Sequence, residues 1–404
     1  MSMNIGMSGL IATSEQMNSI SHNIANVGTA GYKSSRTEFQ DIYAPEFGGG
    51  EMNGVEVAAV RQSFKNGTTT PTGRNGDLAI SGEGFFMVEN NGQDMFTRNG
   101  VFNLDKDGYL VASDGSRLQG YGVTDSGQIQ TGSITDLAVA TGEMPAKSST
   151  KVNMGVNLDA NSPAIDPAKT FDPEDPSTFT SSATTTVYDS LGAEHEVTQY
   201  YVKTADNAWD VNYVVDGDKA SAQKTTLGFD ANGKLTTPIP PATNNFDLTF
   251  TPKNGSAKQT ILFDVAETTQ FGSEFSITKN SQDGHAPGQV AGWYFEADGR
   301  VYARYSNGQT KVQGQVALAR FPNQEGLQQA GNTSWTQSFS SGSALVGAPG
   351  TGQLGDVRTG MYENSNVDLS SEMVNLMSAQ SNYQANAKTI KVSQEMTQIL
   401  FQNL

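Results

Sequence analysis

The sequence of 404 residues contains no cysteine, which excludes disulfide bonds and thiolate metal sites. Charged residues make up only 17% of the chain and hydrophobic residues 36%, and both fractions are low for a globular enzyme. No apolar run approaches the roughly 18 residues of a membrane span. The N-terminus lacks a basic region followed by an apolar one. We therefore expect neither membrane insertion nor a cleaved secretory signal.

Basic residues are also scarce, since 25 lysines and arginines face 42 aspartates and glutamates, for a net charge of −17. This balance argues against binding to nucleic acid, because phosphates are neutralised by Lys and Arg. Copies of the chain should repel each other weakly, so any self-assembly should improve with salt. The 43 glycines favour turns and β structure.

No combination of residues marks a catalytic or metal site. The segment 194–196 reads Glu-His-Glu without a second histidine four residues later, so His195 is interpreted as a surface residue of a strand. The segment 105–108 begins like a calcium loop but has Ser116 where the loop needs Glu. The glycines of 82–84 lack the Lys-Ser/Thr ending of a phosphate loop. We therefore predict no enzyme, no cofactor and no bound metal.

The two ends of the chain share a helical pattern. Apolar and small residues recur in steps of three and four over 1–27, and again from Asp368, a good N-cap, to the C-terminus. Residues 1–27 carry a single formal charge, Glu15, so more than one face of each helix should be covered by neighbours. The predicted self-assembly residues are Leu10, Met17, Ile20, Ile24, Val27, Leu369, Met373, Leu376, Tyr383, Ile390 and Phe401.

Between the ends the sequence has β texture, with frequent Asn-Gly and Asp-Gly turns. Residues 146–284 stand apart, since they carry eighteen acidic residues, ten lysines and no arginine. The prediction is a multi-domain α+β protein whose terminal helices pair as a coiled-coil-like stem, followed by nested all-β domains. Its parts are 1–30 with 361–404 (inner tube), 31–70 (an irregular bridging segment), 71–145 with 285–360 (inner β domain) and 146–284 (inserted outer β domain).

Three groups of residues resemble the bacterial flagellar rod and hook protein family. The segment 19–33 is similar to the motif that follows the family's first helix, 77–86 with 97–102 resembles its β domain, and 365–387 resembles its last helix. The residues of these motifs that we single out are Asn23, Ile24, Ala25, Asn26, Gly31, Tyr32, Lys33, Gly84, Phe85, Phe86, Asn366, Val367, Asp368 and Leu369. Length and the large insertion favour the hook branch.

The resemblance implies a structural subunit of a flexible, curved, tubular polymer that transmits torque as a universal joint. It implies other copies of the chain, the distal rod protein, a hook-cap scaffold, the hook–filament junction protein and the flagellar export apparatus as partners. It also implies a place in the extracellular flagellum, reached without a cleaved signal peptide. A distal rod protein with an unusual insertion, a secreted adhesin and an acidic hydrolase are the alternatives.

Overall fold

The computed structural model describes residues 2–44, 51–124, 127–166, 168–237 and 245–402. Over these residues the chain has helices α1 (Ser2–Ala25) and α2 (Leu369–Gln402), with 29 strands between them. It divides into two compact units. The first unit comprises 1–141, 291–304 and 310–404, and the second comprises 142–290 and 305–309. The predicted α+β class with a helix near each end is confirmed.

The strands are, in chain order, β1 (Ser35–Ala44), β2 (Glu51–Gln62), β3 (Thr69–Pro71), β4 (Leu78–Ser81), β5 (Phe85–Asn90), β6 (Gln93–Thr97), β7 (Phe102–Leu104), β8 (Leu110–Ala112), β9 (Arg117–Val123), β10 (Ile129–Asp136), β11 (Lys151–Asp159), β12 (Ser181–Tyr188), β13 (Glu194–Ala205), β14 (Ala208–Val215), β15 (Asp218–Phe229), β16 (Leu235–Thr237), β17 (Asn245–Phe250), β18 (Gln259–Asp264), β19 (Thr269–Phe271), β20 (Ser276–Gln282), β21 (Val290–Phe295), β22 (Arg300–Tyr305), β23 (Thr310–Val316), β24 (Leu318–Arg320), β25 (Gln328–Gly331), β26 (Ser334–Thr336), β27 (Leu345–Gly347), β28 (Asp356–Thr359) and β29 (Met361–Glu363).

The body of the first unit is a thirteen-stranded sheet whose main path runs β21-β22-β23-β9-β5-β6-β26-β25. A two-residue turn joins β5 to β6 at Asn91-Gly92, where both residues have the positive φ that such a hairpin requires. Buried aromatic rings pack edge to face on one side of this sheet, with Phe96 and Phe321 centred 4.7 Å apart.

The segment 31–70, predicted to be irregular, contains the long antiparallel hairpin β1–β2, and that part of the prediction is wrong. Along β2 the half-buried Val55 and Val57 alternate with the exposed Glu56 and Ala58. This period of two marks a strand, but glycines on either side of the segment obscured it. The hairpin is supported by α1, since the backbone N–H of Val55 donates to Ser8 Oγ.

Local hydrogen bonds mark the end of α1 and the start of α2. Helix α1 stops three residues before Gly28, through a turn in which Thr29 N–H donates to Asn26 O. Helix α2 starts directly after Asp368, whose Oδ1 accepts from the backbone N–H of Ser371 at 2.7 Å. That hydrogen bond holds the pKa of Asp368 below its ordinary value. The predicted N-cap is confirmed.

The second unit contains two five-stranded sheets, β17-β18-β11-β19 with β20 beside β11, and β12-β13-β14-β15-β16. Alternate side chains of both sheets meet in one buried core. Trp209 lies at its centre and donates from its indole N–H to Gln270 Oε1 at 2.7 Å. Tyr213 stacks on Phe246 in the same core, so both rings serve the packing of this core.

His195 belongs to this unit and is buried, which corrects its interpretation as a surface residue. Its Nδ1 lies 2.7 Å from Asp216 Oδ2 and its Nε2 lies 3.3 Å from the fully buried Asp189 Oδ2. Both ring nitrogens donate only when the imidazole is protonated. Burial lowers the pKa of His195, but hydrogen bonds and charge from Asp216 and Asp189 outweigh burial and raise it overall. The sequence pattern missed this site because Asp216 is distant along the chain.

We expect the second unit to lose stability as pH rises through the folded-state pKa of His195. The protonated form is stabilised in the fold relative to its ordinary pKa of 6.5, so the contribution is complete below about pH 6.5. NMR titration of the His195 ring signals measures the pKa of His195. The native Trp209 indole signal, followed over the same pH range, measures how much of the second unit remains folded. In His195→Gln this pH dependence should disappear, whereas the exposed-site control His22→Gln should keep it. An ordinary or lowered pKa for His195 would contradict this account.

Candidate assembly interface

A buried ionic cluster joins both ends of the chain to the sheet of the first unit. Glu363, at the end of β29, accepts from Lys33 Nζ at 2.7 Å and from Arg98 at 3.2 Å. All three side chains are at most 2% exposed. The Glu363 carboxylate also accepts from the backbone N–H of Gly67, while Lys33 Nζ donates to Lys65 O. One carboxylate therefore connects the segments that follow α1, precede α2 and leave β6.

Burial sets the electrostatics of this cluster. It lowers the pKa of Lys33 and of Arg98, and the negative charge of Glu363 opposes that shift. Two buried cations share a single carboxylate, so the cluster depends on the surrounding carbonyl oxygens, of which Gly82 O accepts from Arg98 at 2.8 Å. The charges are paired with one another and with backbone carbonyl oxygens, so the arrangement is structural.

Gly31 explains why the turn before Lys33 has its sequence. Its φ is +69°, and a Cβ there would lie 2.4 Å from the backbone nitrogen of Asn99. Only glycine fits this close approach to the β body. The backbone N–H of Gly31 donates to Glu363 O at 2.8 Å, which places Lys33 beside the Glu363 carboxylate.

Two asparagines fasten the helix ends to the strands that follow and precede them. Asn23 accepts from Ser35 N–H at 2.9 Å and donates to Ser35 O at 2.8 Å and to Glu372 at 3.1 Å. Asn366 accepts from Ser34 N–H and donates to Ser63 O, both at 2.7 Å. Each side-chain amide bonds backbone groups that the strand ladders leave unpaired. Each also joins a residue near the N-terminal helix to one near the C-terminal helix.

Helices α1 and α2 pack antiparallel. A Cβ on Gly6 would lie 2.7 Å from the Ile390 side chain, and one on Gly9 would lie 2.7 Å from the Asn386 side chain, while Asn23 donates a hydrogen bond to Glu372. The face that carries these contacts, here called the inner seam, advances in steps of three and four. Its positions are Gly6, Gly9, Thr13, Gln16, Ile20 and Asn23 on α1, and Glu372, Leu376, Ala379, Tyr383, Asn386 and Ile390 on α2. The glycines leave room for side chains of α2 to pack on the backbone of α1.

A second series on α1 has the same spacing but is turned by about 100°. This outer stripe consists of Met3, Met7, Leu10, Ser14, Met17, Ser21 and Ile24, all exposed or only partly covered. The opposite flank of α1 contacts β1–β2 through Ser8 and Ser19. Helix α1 thus has α2 on one side and the hairpin on another, and it presents its larger apolar side chains on the third.

Helix α2 is covered far less. Most of its described side chains are exposed, including Val374 at 57%, Met377 at 62% and Met396 at 63%. Ala385, Thr389, Val392 and Met396 form an outer stripe on its C-terminal half with steps of three and four. Exposed apolar area of this extent on a helix is unfavourable in water and marks a surface for another protein.

The structure distributes the predicted self-assembly residues over these surfaces. Ile20, Leu376, Tyr383 and Ile390 lie in the inner seam, whereas Leu10, Met17 and Ile24 lie in the outer stripe of α1. The others, Val27, Leu369 and Met373, are exposed, and Phe401 lies outside the described side chains.

The family-motif residues also fall into distinct places. Asn23, Gly31, Lys33 and Asn366 form the junction described above, and Tyr32 OH donates to Asn23 at 3.3 Å. Gly84, Phe85 and Phe86 are buried at the start of β5, and Asp368 caps α2. The remaining positions are partly covered or exposed around the two helix ends, namely Ile24, Ala25, Asn26, Val367 and Leu369.

Sequence reasoning missed Glu363, Gly9 and Asn386, and it gave Arg98 no role. Glycine inside an otherwise helical pattern was the available signal for Gly9, because it indicates close packing. Nothing local marks Glu363, since Lys33 lies 330 residues away along the chain. Among the described residues, no group of His, Cys, Asp or Glu side chains has the arrangement of a metal site, and no described helix is long and apolar enough to span a membrane.

Glu363→Gln should destabilise the first unit strongly. It removes the negative charge from Lys33 and Arg98, and loss of a partner from a buried ion pair costs about 3–5 kcal/mol. Guanidinium unfolding measures the change. The control is Glu325→Gln, which loses an exposed pair with Arg61 and should change the stability little, because water and salt screen such pairs. Equal stability of the two variants would show that the cluster does not hold the junction.

Four family models match successive parts of the chain. They are described as Flagella basal body rod protein (residues 3–33), Flagellar hook protein FlgE/F/G D1 domain (79–161), Flagellar basal body protein FlaE D2 domain (157–285) and Flagellar basal body rod FlgEFG protein C-terminal (358–403). The matches at 3–33 and 358–403 cover both helices of the inner seam. They also cover the segments after α1 and before α2 that meet at the Glu363 cluster.

Relatives that match this chain over nearly its whole length include flagellar hook proteins. The flagellar hook protein FlgE of Escherichia coli K12 is 38% identical over 407 residues, which span 99% of each chain. That of Rhizobium meliloti is 35% identical over 98% of this chain and 97% of that protein. The crystal structure of Helicobacter pylori flagellar hook protein FlgE2 is similar in fold, with a TM-score of 0.53 at 14% identity over 72% of this chain and 99% of that one. The chain belongs to the flagellar hook protein family, whose members are structural and not enzymes.

Proposed function

We propose that the outer stripes of α1 and α2 are the contacts through which copies of this chain polymerise into the hook. A hook subunit is a structural component of the flagellum and polymerises with itself. The single observation that carries the assignment of residues is the inverted polarity of α1. Apart from Ile20, its inner-seam residues are small or polar, while its outer stripe holds larger apolar side chains, namely Met3, Met7, Leu10, Met17 and Ile24. Such a helix is marginal alone and gains stability from neighbours.

The two outer stripes are suited to each other because they lie at the same end of the helix pair. Gly6 contacts Ile390 and Asn23 contacts Glu372, so the start of α1 is level with the last third of α2. Met3 and Met7 therefore lie near the level of Val392 and Met396. We infer that α1 of one copy packs through its stripe on α2 of the next. Each apolar side chain buried there contributes about 1.5–3 kcal/mol before entropy is subtracted.

In the same proposal the terminal helices form an inner tube, the β body of the first unit a middle shell and the second unit the outer surface. The hairpin β1–β2 bridges subunits outside the tube, a role that its support by α1 and its exposed Phe39 and Val60 favour. The acidic composition of 146–284 suits an outer surface, because solvated polar contacts exchange at little net cost when the joint bends.

The proposal extends to partners and route. The distal rod protein and the hook–filament junction protein are proposed to contact the two ends of the polymer through the same helical surfaces. A hook-cap scaffold is proposed to guide assembly, and the flagellar export apparatus to deliver the chain unfolded without a cleaved signal. Support comes from family membership and, for export, from a chain without disulfide bonds to reduce.

Ile24→Asp should prevent polymerisation and leave the monomer folded. The charge would fall in the outer stripe of α1, where burial against a second copy would desolvate it. Sedimentation at high sodium sulfate measures polymer, and circular dichroism measures the β body. The matched control is Asn18→Asp, which adds the same charge at an exposed position outside both seams of α1. Normal polymers from Ile24→Asp would contradict the assignment of the stripe.

Cysteine cross-linking tests which helices meet. Because the chain has no cysteine, single variants Met7→Cys and Met396→Cys introduce the only thiols. When the two variants are mixed, polymerised and oxidised, we expect a covalent dimer that contains one of each. A mixture of Met7→Cys with Gln384→Cys, an exposed position outside the α2 stripe, should give several-fold less dimer. Equal yields in both mixtures would exclude the proposed pairing.

A further inference from the structure

A second contact surface between copies lies on the β body of the first unit, away from the helices. Residues 326–355 form a run of thirty residues without a single charge, in a chain of net charge −17. The run contains β25, the loop 337–342 and the strand β27. Two features of this surface, an open sheet edge and an exposed aromatic ring, lack an explanation in the isolated chain.

The sheet edge has neither charge nor proline to guard it. Strand β25 ends the main path of the thirteen-stranded sheet, and no other strand of the described chain pairs with its outer edge. All four of its residues, 328–331, are exposed. Sheet edges in soluble proteins are often guarded by charged side chains or proline. Here the side chains are two glutamines, an alanine and a glycine, and the pairing with β26 shifts register between Gln329 and Gly331.

Phe339 is the most exposed large hydrophobic side chain of the described residues, at 105% of its reference area. The loop that carries it is not loosely held. Ser338 Oγ donates to Gly326 O and accepts from the N–H groups of Ser340 and Ser341. Ser341 is fully buried, and its Oγ accepts from Ser338 N–H at 2.8 Å.

In this loop the hydroxyls of Ser338 and Ser341 are therefore turned inward, while its one aromatic ring is turned outward. Asn323 fixes it from the other side by donating to Ser340 O at 3.0 Å. A Cβ on Gly326 would lie 2.5 Å from the loop backbone, so the two segments are in close contact. A ring held outward on a fixed backbone loses little conformational entropy when it is buried by a partner.

We propose that residues 326–345 form a contact surface for a second copy of this chain in the polymer, with Phe339 as its anchor. The absence of charge favours a copy as the occupant, because two acidic chains repel wherever their carboxylates meet, and this stretch has none. Head-to-tail contacts of this kind, between different surfaces of identical subunits, generate helical polymers. The proposal rests on polymerisation of the chain but not on the helix stripes.

Phe339→Ser tests the anchor in the full chain. Serine already occupies the neighbouring positions, and the lost ring contacts nothing in the monomer, so the melting temperature should not change. The critical concentration for polymerisation should rise about tenfold or more. The matched control is Phe271→Ser, which removes a half-exposed ring from the second unit and should leave the critical concentration unchanged.

A photo-reactive phenylalanine analogue at position 339 gives a second readout. Cross-linked dimers should form in polymer and not in dilute monomer. An unchanged critical concentration for Phe339→Ser together with no cross-linked dimer in intact polymer would overturn this surface and leave helix-driven assembly standing. Failure of the unaltered chain to polymerise would overturn both.

Discussion

The carboxylate of Glu363 is the interaction on which the arrangement of the first unit depends. It is buried between Lys33 and Arg98, and it accepts from the backbone of Gly67. Through it, the segment after α1, the segment before α2 and the β body share one charged centre. A buried charge tolerates little displacement, because any movement leaves a cation without its partner. The Glu363 cluster therefore fixes the position at which the helix pair joins the β body, which suits a subunit that must transmit torque.

On α1 the usual distribution of side chains is reversed. Apart from Ile20, its inner-seam residues are small or polar, and methionine, leucine and isoleucine occupy its outer stripe. Within one copy this arrangement leaves apolar area in water, and in our proposal that area is the contact surface within a polymer. Methionine is prominent on that surface, with Met3, Met7, Met373, Met377 and Met396 all exposed. Because its side chain adapts to irregular surfaces, contacts between copies can shift slightly without being lost.

The two units differ in how their charged residues are distributed along the sequence. The second unit is acidic and has no arginine over 146–284, and its buried His195 lies between Asp189 and Asp216. The first unit, by contrast, contains the thirty uncharged residues 326–355. In a polymer of strongly acidic subunits, such charge-free stretches are where close contacts cost least, and added salt weakens the repulsion elsewhere.

The sequence by itself determined the kinds of elements and their order. Steps of three and four residues, Asp368 as a cap and repeated Asn-Gly and Asp-Gly turns were sufficient for two terminal helices around a β body, because these signals are local. They were not sufficient to choose between two seams on α1 that have the same spacing and differ by one residue. Packing at Gly6 and Gly9 decided that choice, since the absence of a Cβ there admits the side chains of Ile390 and Asn386. The partnership of Glu363 with Lys33, and the burial of His195 between two aspartates, were likewise decided only by the tertiary structure. In each case the partners are brought together by strand pairing and packing, and no local pattern records them.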